Sequence, residues 1–296
     1  MNLKNTIQTA LNALRAHIGR SALTILGIVI GVAAIIIVMS LGNGAQALIV
    51  DQVSGLGAET VVVRPGGGLA DIQGTLASTA LTQDDIEDLE RRGNVPNLVS
   101  AEPFVIVGEN VEYQGEKYRP TVFGGPAVFI SDIFDVPLAD GYLYSDSDIE
   151  SNARVAIIGQ DIKEEIFENR RAIGEDITIK NTKFEIVGLF EEVAPMTGFN
   201  FNEMVLIPHT TALTYLTASN SYNELIVVGD DPANVEKMAY DIEQTLRESH
   251  DLDFDEENDF TVQTQEEAIE QIESIVSILT AFLAMVVAVS LVVGGV

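Results

Sequence analysis

Cysteine is absent from the 296 residues, so no disulfide framework holds this fold together. Histidine is scarce: His17, His209 and His250 are dispersed along the chain, and no zinc site follows from them. Bases are scarce too, with 16 Lys and Arg against 45 Asp and Glu and a formal net charge of -29. A nucleic-acid binder needs a basic face to displace counterions, and this balance excludes one. The ends lack acids altogether. No Asp or Glu precedes Asp51 or follows Glu273, so all 45 acids and 13 of the 16 bases lie between those residues. Mean hydropathy is nevertheless +0.22. A chain this acidic and this apolar must keep the two properties in separate segments, and its apolar periodicity excludes disorder.

Thirty uncharged residues separate Arg20 from Asp51, and Ala22 to Gly42 is almost wholly apolar. About 20 such residues cross a hydrocarbon core as a helix. Residues 274–296 form a second uncharged run, rich in Ile, Val, Leu and Ala. Both are expected to be transmembrane helices. The first exceeds the roughly 7–15 apolar residues of a signal peptide, which favours a retained span over a cleaved leader. Lys4, Arg15 and Arg20 are the only charges before it, and the next base is Arg64. Positive residues stay inside, which places the N-terminus in the cytoplasm and residues 51–273 outside it. No basic flank follows the second span, so the sequence reads as an incomplete chain.

The pattern gives an α+β fold: two transmembrane helices flanking a large extracytoplasmic domain. Leu3, Ile7, Leu11, Leu14 and Ile18 make one helical face, so 1–20 is expected as a cytoplasmic amphipathic helix. In it Lys4 and Arg15, and Arg20 at its end, meet lipid headgroups. The first span is 21–43, a stalk covers 44–58, a second stalk 265–273, and the second span 274–296. Between them Thr60 to Arg64 reads as a strand, Thr82 and Asp85 as a capping pair opening a helix, and Leu98 to Val107 as a strand. Glu224 to Val228, a helix opened by Asp231-Pro232, and Asp259 to Gln263 repeat that order. Two strand–helix–strand units (59–111 and 219–264) thus flank an insert, 112–218, which is richer in strands.

Catalytic and cofactor motifs do not assemble. Gly66-Gly67-Gly68 precedes Leu69-Ala70-Asp71 where a phosphate loop needs Lys and Ser or Thr, so it reads as a flexible turn. Asp251, Asp253 and Asp255 have the first spacings of a calcium loop, but Glu256 stands where Gly makes the turn and Val262 where a bidentate Glu belongs. No nucleophile elbow with a placed histidine is visible. No catalytic, cofactor or metal residue is therefore assigned. The first span does hold Gly27 and Gly31 in G-x-x-x-G spacing, which lets helices approach closely in lipid, and Ala33 and Ala34 extend the small surface.

Several strings resemble one family in order. Residues 23–34 with 41–46 (LTILGIVIGVAA, then LGNGAQ) resemble the opening of a MacB-type ABC transporter permease, related to FtsX-like permeases. Residues 56–66 (LGAETVVVRPG), 155–159 (VAIIG), 172–177 (AIGEDI), 184–189 (FEIVGL) and 203–208 (EMVLIP) resemble later segments of the same family, as does the end of the second span at 292–296 (VVGGV). The pattern departs at Gly141-Tyr142-Leu143-Tyr144, where the family commonly has Gly-Arg and an aromatic. Family members carry four spans, so the resemblance marks this chain as the N-terminal half.

The resemblance implies mechanics rather than chemistry. A separate ABC ATPase subunit would dock on the cytoplasmic side, since only about 20 residues precede the first span. A second permease copy, as a homodimer or with a paralogue, would complete the membrane part, with membrane lipid around it and an extracytoplasmic adaptor beyond. The two-unit part would correspond to the family's porter-like subdomain and the insert to its β-rich neighbour. Export or efflux by mechanotransmission is the expected function. A lipoprotein-releasing permease, or an FtsX-like signalling permease that activates a cell-wall hydrolase, are the alternatives.

Overall fold

The computed structural model describes residues 57–66, 81–168, 170–194, 200–217 and 220–295, with isolated positions between 19 and 44. The expected amphipathic helix (1–20), most of the first span and most of the first stalk lie outside the described residues. The chain divides into two compact units. One is Gln52–Ala268; the other combines Met1–Asp51 with Ile269–Val296.

In the larger unit, β1 (Thr60–Pro65) alternates its side chains so that Val61 and Val63 are fully buried while Arg64 is exposed. The helix α1 (Gln83–Glu90) starts where Thr82 takes an extended conformation and its amide donates to Asp85 Oδ2 at 2.8 Å. Next comes β2 (Leu98–Val107), the longest strand. A small hairpin follows, β3 (Val111–Tyr113) and β4 (Glu116–Tyr118), turning at Gln114 and Gly115, both with positive φ. After β5 (Thr121–Gly124) the chain forms α2 (Ala127–Ile133), β6 (Leu138–Gly141) and the short α3 (Asp146–Glu150).

Then come β7 (Val155–Ile158), α4 (Gln160–Phe167), β8 (Asp176–Ile179), β9 (Thr182–Phe190), β10 (Met204–Ile207) and α5 (His209–Tyr215). The run closes with β11 (Glu224–Gly229), α6 (Val235–Ser249), β12 (Phe260–Thr264) and α7 (Gln265–Gly295). Pro232 opens a single 3-10 turn ahead of α6 rather than the helix itself; Asp231 caps it by accepting from the Ala233 amide.

The described strands join in one path, β12-β1-β11-β2-β5-β10-β7-β9-β8-β3-β4, with β6 added on β9. Pairing is antiparallel except for β5 with β10 and β7 with β9. The first four strands of that path belong to the two strand–helix–strand segments, interleaved as β12-β1-β11-β2. β2 serves both parts of the sheet: residues up to Phe104 pair with β11, and Val105 to Val107 pair with β5. At the centre, β10 is buried on both faces, which is why its four residues are all apolar. Val205 and Ile207 join one core with α1, α4, α5 and α6, while Met204 and Leu206 join a second. The second core is rich in phenylalanine, with Phe104, Phe123, Phe129, Phe134, Phe190 and Phe201.

The segment that departs from the family pattern has a definite job. Gly141 has φ +87, and a Cβ there would lie 2.1 Å from the Val187 carbonyl oxygen, so no larger residue fits. Three residues on, Tyr144 is buried and donates its hydroxyl to the Gly125 carbonyl at 2.6 Å. Burial alone holds this phenol well above its ordinary pKa, so it stays a donor. Tyr142 points outward.

The second unit contains most of α7. Ile272, Val276 and Thr280, spaced by four, are its half-buried face. Gly42 lies against it: a Cβ on Gly42 would come within 2.8 Å of Thr280 Oγ1 and 3.8 Å of Val276. Leu26, Val29, Ile36, Ile37 and Met39, with Ile275, Ile278, Phe282 and Met285, stay exposed. Several side chains in the last third of α7 lie outside the described residues. Counting the described residues alone, no helix is long and apolar enough to cross a membrane.

Tyr144→Phe is expected to leave the buried Gly125 carbonyl unpaired and to cost about 1–3 kcal/mol, read as a lower urea midpoint with an unchanged slope.

Candidate functional site

The two strand–helix–strand segments place α1 and α6 side by side on one face of the sheet. Ile86 and Leu89 of α1 meet Met238, Ile242 and Leu246 of α6 in the shared core. Polar contacts at one end of this pair form the most concentrated group of buried ionisable side chains among those described. Asp85 sits in the first turn of α1, and His250 caps the C-terminus of α6. A helix start favours an anion and a helix end favours a cation, so both dipoles support the pair. His250 Nδ1 lies 2.8 Å from Asp259 Oδ1, and Nε2 lies 3.3 Å from Asp85 Oδ1, off the line of a good hydrogen bond. Ser249 donates to the same Asp85 oxygen at 2.7 Å. The His250 and Asp85 side chains are only 3% and 4% exposed.

The Asp85 contact, helped by Asp259 and opposed by burial, lifts the His250 pKa to about 9. Burial alone would raise Asp85, but His250, Ser249 and the Thr82 amide reverse that and lower it to about 2. At neutral pH the group is an imidazolium between two carboxylates, which ties α1, α6 and β12 together. The hydroxyl beside it, that of Ser249, is turned to Asp85 and not to the imidazole. Its chemistry is that of a clamp.

Arg247, one turn back on α6, organises the loop between α6 and β12. Its guanidinium donates to the carbonyls of Glu256 (3.0 Å) and Asp253 and to Asn258 Oδ1. These oxygens belong to the stretch with calcium-like spacing, and an arginine already occupies them. Among the described residues no group of His, Asp and Glu could hold a metal ion. The third histidine, His209, starts α5 with its ring 5.7 Å from that of Tyr222; burial pushes its pKa down to about 4, so it is a neutral core residue. A wide polar cleft of about 530 Å³ opens beside the β3–β4 hairpin, lined by Glu112, Gln114, Glu175, Asp176 and Lys183. Lys183 is already paired with Asp176 at 3.3 Å.

Of the residues singled out from sequence, Gly27 has open space where a Cβ would stand. Gly31, Lys4, Arg15 and Arg20 lie outside the described residues. Among the described residues, the glycine that meets α7 is Gly42, which the G-x-x-x-G spacing does not select. Sequence reading also passes over the His250 clamp, whose partners, Asp85 and Asp259, are 165 and 9 residues away. Its only local signals are a histidine just past a helix end and an aspartate three residues after a capping threonine.

The chain and its fold have counterparts among known proteins. The family model of the MacB-like periplasmic core domain matches residues 21–245. The chain belongs to this family. Among curated relatives, the macrolide export ATP-binding/permease protein MacB of Rhodospirillum rubrum is 29% identical over 292 residues, covering 98% of this chain and 43% of that protein. The protein of the same name from Azoarcus sp. is 29% identical over 296 residues, covering 100% and 43%. The chain thus spans less than half the length of these relatives. In fold, the chain is similar to the periplasmic region of MacB from Actinobacillus actinomycetemcomitans, with TM-score 0.64, 17% identity, and 76% of this chain and 97% of that one covered. It is also similar to the extracellular domain of the noncanonic ABC-type transporter YknZ, with TM-score 0.56, 18% identity, and 69% and 100% covered. The MacB-like core domain is therefore a mixed α+β domain here as in those structures.

The clamp gives stability a definite pH dependence. His250 has a raised pKa, so its contribution is complete below pH 6.5 and is lost as pH rises through about 9. Asp85 has a lowered pKa, so its contribution is complete above pH 3.8 and is lost as pH falls through about 2. Urea midpoints measured from pH 5 to 9.5 are expected to fall on the alkaline side, and His250→Gln to flatten that fall while lowering the midpoint at pH 6.

Proposed function

We propose that this chain is part of a permease subunit of an ABC transporter, and that it couples ATP hydrolysis by a separate ATPase subunit to movement of the extracytoplasmic domain during export. Membership in the MacB-like family supports the class, and the chain's similarity to macrolide export permeases supports export as the general role. The observation that carries the mechanical part is the start of α7. Thr264 is the last residue of β12, and Gln265 is the first of α7. The Thr264 amide donates to Glu267 Oε2 at 2.9 Å, and the Glu267 amide donates to Thr264 Oγ1 at 3.1 Å. This capping box joins strand to helix with no intervening loop. α7 then continues for 31 residues.

The two uncharged runs, 21–43 and 274–296, are read as the membrane spans, with 44–58 and 265–273 as stalks. The exposed Ile275, Ile278, Phe282 and Met285 support this, since such a surface is costly in water and at ease in lipid. Lys4, Arg15 and Arg20 hold the N-terminus on the cytoplasmic side, in the inner membrane. The open space at Gly27, with Gly31 one turn on, suits a second permease copy, identical or paralogous. Residues 59–111 with 219–264 act as the porter-like part and 112–218 as the inserted subdomain. The chain itself performs no catalysis in this reading.

Two measurements test it. Because the chain has no cysteine, single substitutions report topology cleanly. Glu165→Cys is expected to react with an impermeant maleimide on intact spheroplasts, and Arg15→Cys to react only after permeabilisation; the reverse pattern overturns the orientation. Two glycines inserted between Thr264 and Gln265, in the permease reconstituted with its ATPase, are expected to abolish transport while basal ATP turnover persists. Transport at the unmodified rate would show that the stiff junction carries no motion.

A further inference from the structure

The loop between α6 and β12 combines two properties that seldom meet. Its tip is held firmly. Leu252 packs against the main core, the Glu256 amide donates to the Asp253 carbonyl at 3.1 Å, Arg247 donates to three oxygens of the loop, and Asn258 Nδ2 donates to Glu243 at 2.8 Å. At its apex, between Asp253 and Asp255, Phe254 is fully exposed to solvent. Around it Asp253, Asp255, Glu256 and Glu257 are exposed as well. A phenylalanine left in water on a braced loop contributes nothing to the fold. It has the form of a preorganised anchor, because ordering costs that a mobile loop would incur on binding are already met.

The register places this loop within the larger unit. The chain enters β1 at Thr60 and leaves β12 at Thr264, and Val61 pairs with Thr264. Pro65 pairs with Phe260 at the opposite end, where the loop lies. The loop thus lies at the end of this strand pair opposite to Thr60 and Thr264.

We propose that Phe254 and its acidic collar form a docking site for a partner protein that presents an apolar socket bordered by lysine and arginine. Charge selects this occupant. A second copy would bring the same carboxylates against their own kind, and anionic lipid headgroups would be repelled. The proposal is independent of the transporter reading, and its test uses no ATPase and no transport.

The chain contains no tryptophan, so Phe254→Trp places a sole indole at the tip. The purified full chain in a neutral maltoside detergent is titrated with a peptide alternating leucine and lysine. The expected result is a saturable blue shift of the indole emission that weakens with salt. Phe254→Ser is expected to reduce affinity for the peptide about thirtyfold without altering the circular dichroism. Three outcomes overturn the proposal: peptide binding with unchanged emission and full affinity in Phe254→Ser, a blue shift that follows chain concentration without peptide, or a blue shift produced by phosphatidylglycerol vesicles but not by the peptide.

Discussion

The pairing of β1 with β12 organises the larger unit. These strands lie about 200 residues apart in sequence, yet they run antiparallel over five register pairs. The pairing brings the start of β1 and the end of β12 to one end of the sheet. Because β11 takes the other edge of β1, the two strand–helix–strand segments interleave rather than stand apart. Interleaving sets α1 beside α6 on the same face, and only then do the start of one helix and the end of the other come close enough for Asp85 to meet His250. The clamp returns the favour, since Asp259 fastens the residue just before β12 to the same imidazolium.

Strongly patterned apolar elements are legible in the sequence, and polar or nonlocal ones are not. β2 runs over Leu98–Val107 as its Val-rich alternation suggests, and β10 over Met204–Ile207 as an apolar run stopped by Pro208. The β3–β4 hairpin is missed because Glu112, Glu116 and Lys117 leave it too polar and too short to show alternation. α2 is missed for another reason: Val128, Phe129 and Ile130 favour strands, and only burial of Phe129 and Ile130 in the phenylalanine core selects the helix. The calcium-like spacing at Asp251 draws attention to the right loop, but the cation it receives is a guanidinium from the preceding helix. Nothing local could reveal that, nor the approach of Gly42 to Thr280, which depends on the pitch of two separate helices.

The imbalance of charge takes on a structural meaning once the few bases are located. Arg64 pairs with Glu224 at 2.6 Å, and burial still leaves that glutamate with a raised pKa. Lys180 donates to the Leu216 carbonyl at 2.7 Å, and Arg170 stands over the Tyr113 ring. Arg247 braces a loop and His250 closes the clamp. Several of the scarce cations thus serve as tie points between distant segments, while carboxylates cover the surface. Exposed ion pairs contribute little on their own, so the acidic coat governs what approaches the domain rather than how stably it folds.

The loopless junction at Thr264 also fixes an angle. An α-helix advances about 100° around its axis for each residue, and no spare residue lies between β12 and α7 to absorb a mismatch. The direction in which the first turn of α7 points its side chains is therefore set by the register of β12 on β1. A one-residue slip of that strand would turn this first helical turn by about 100°.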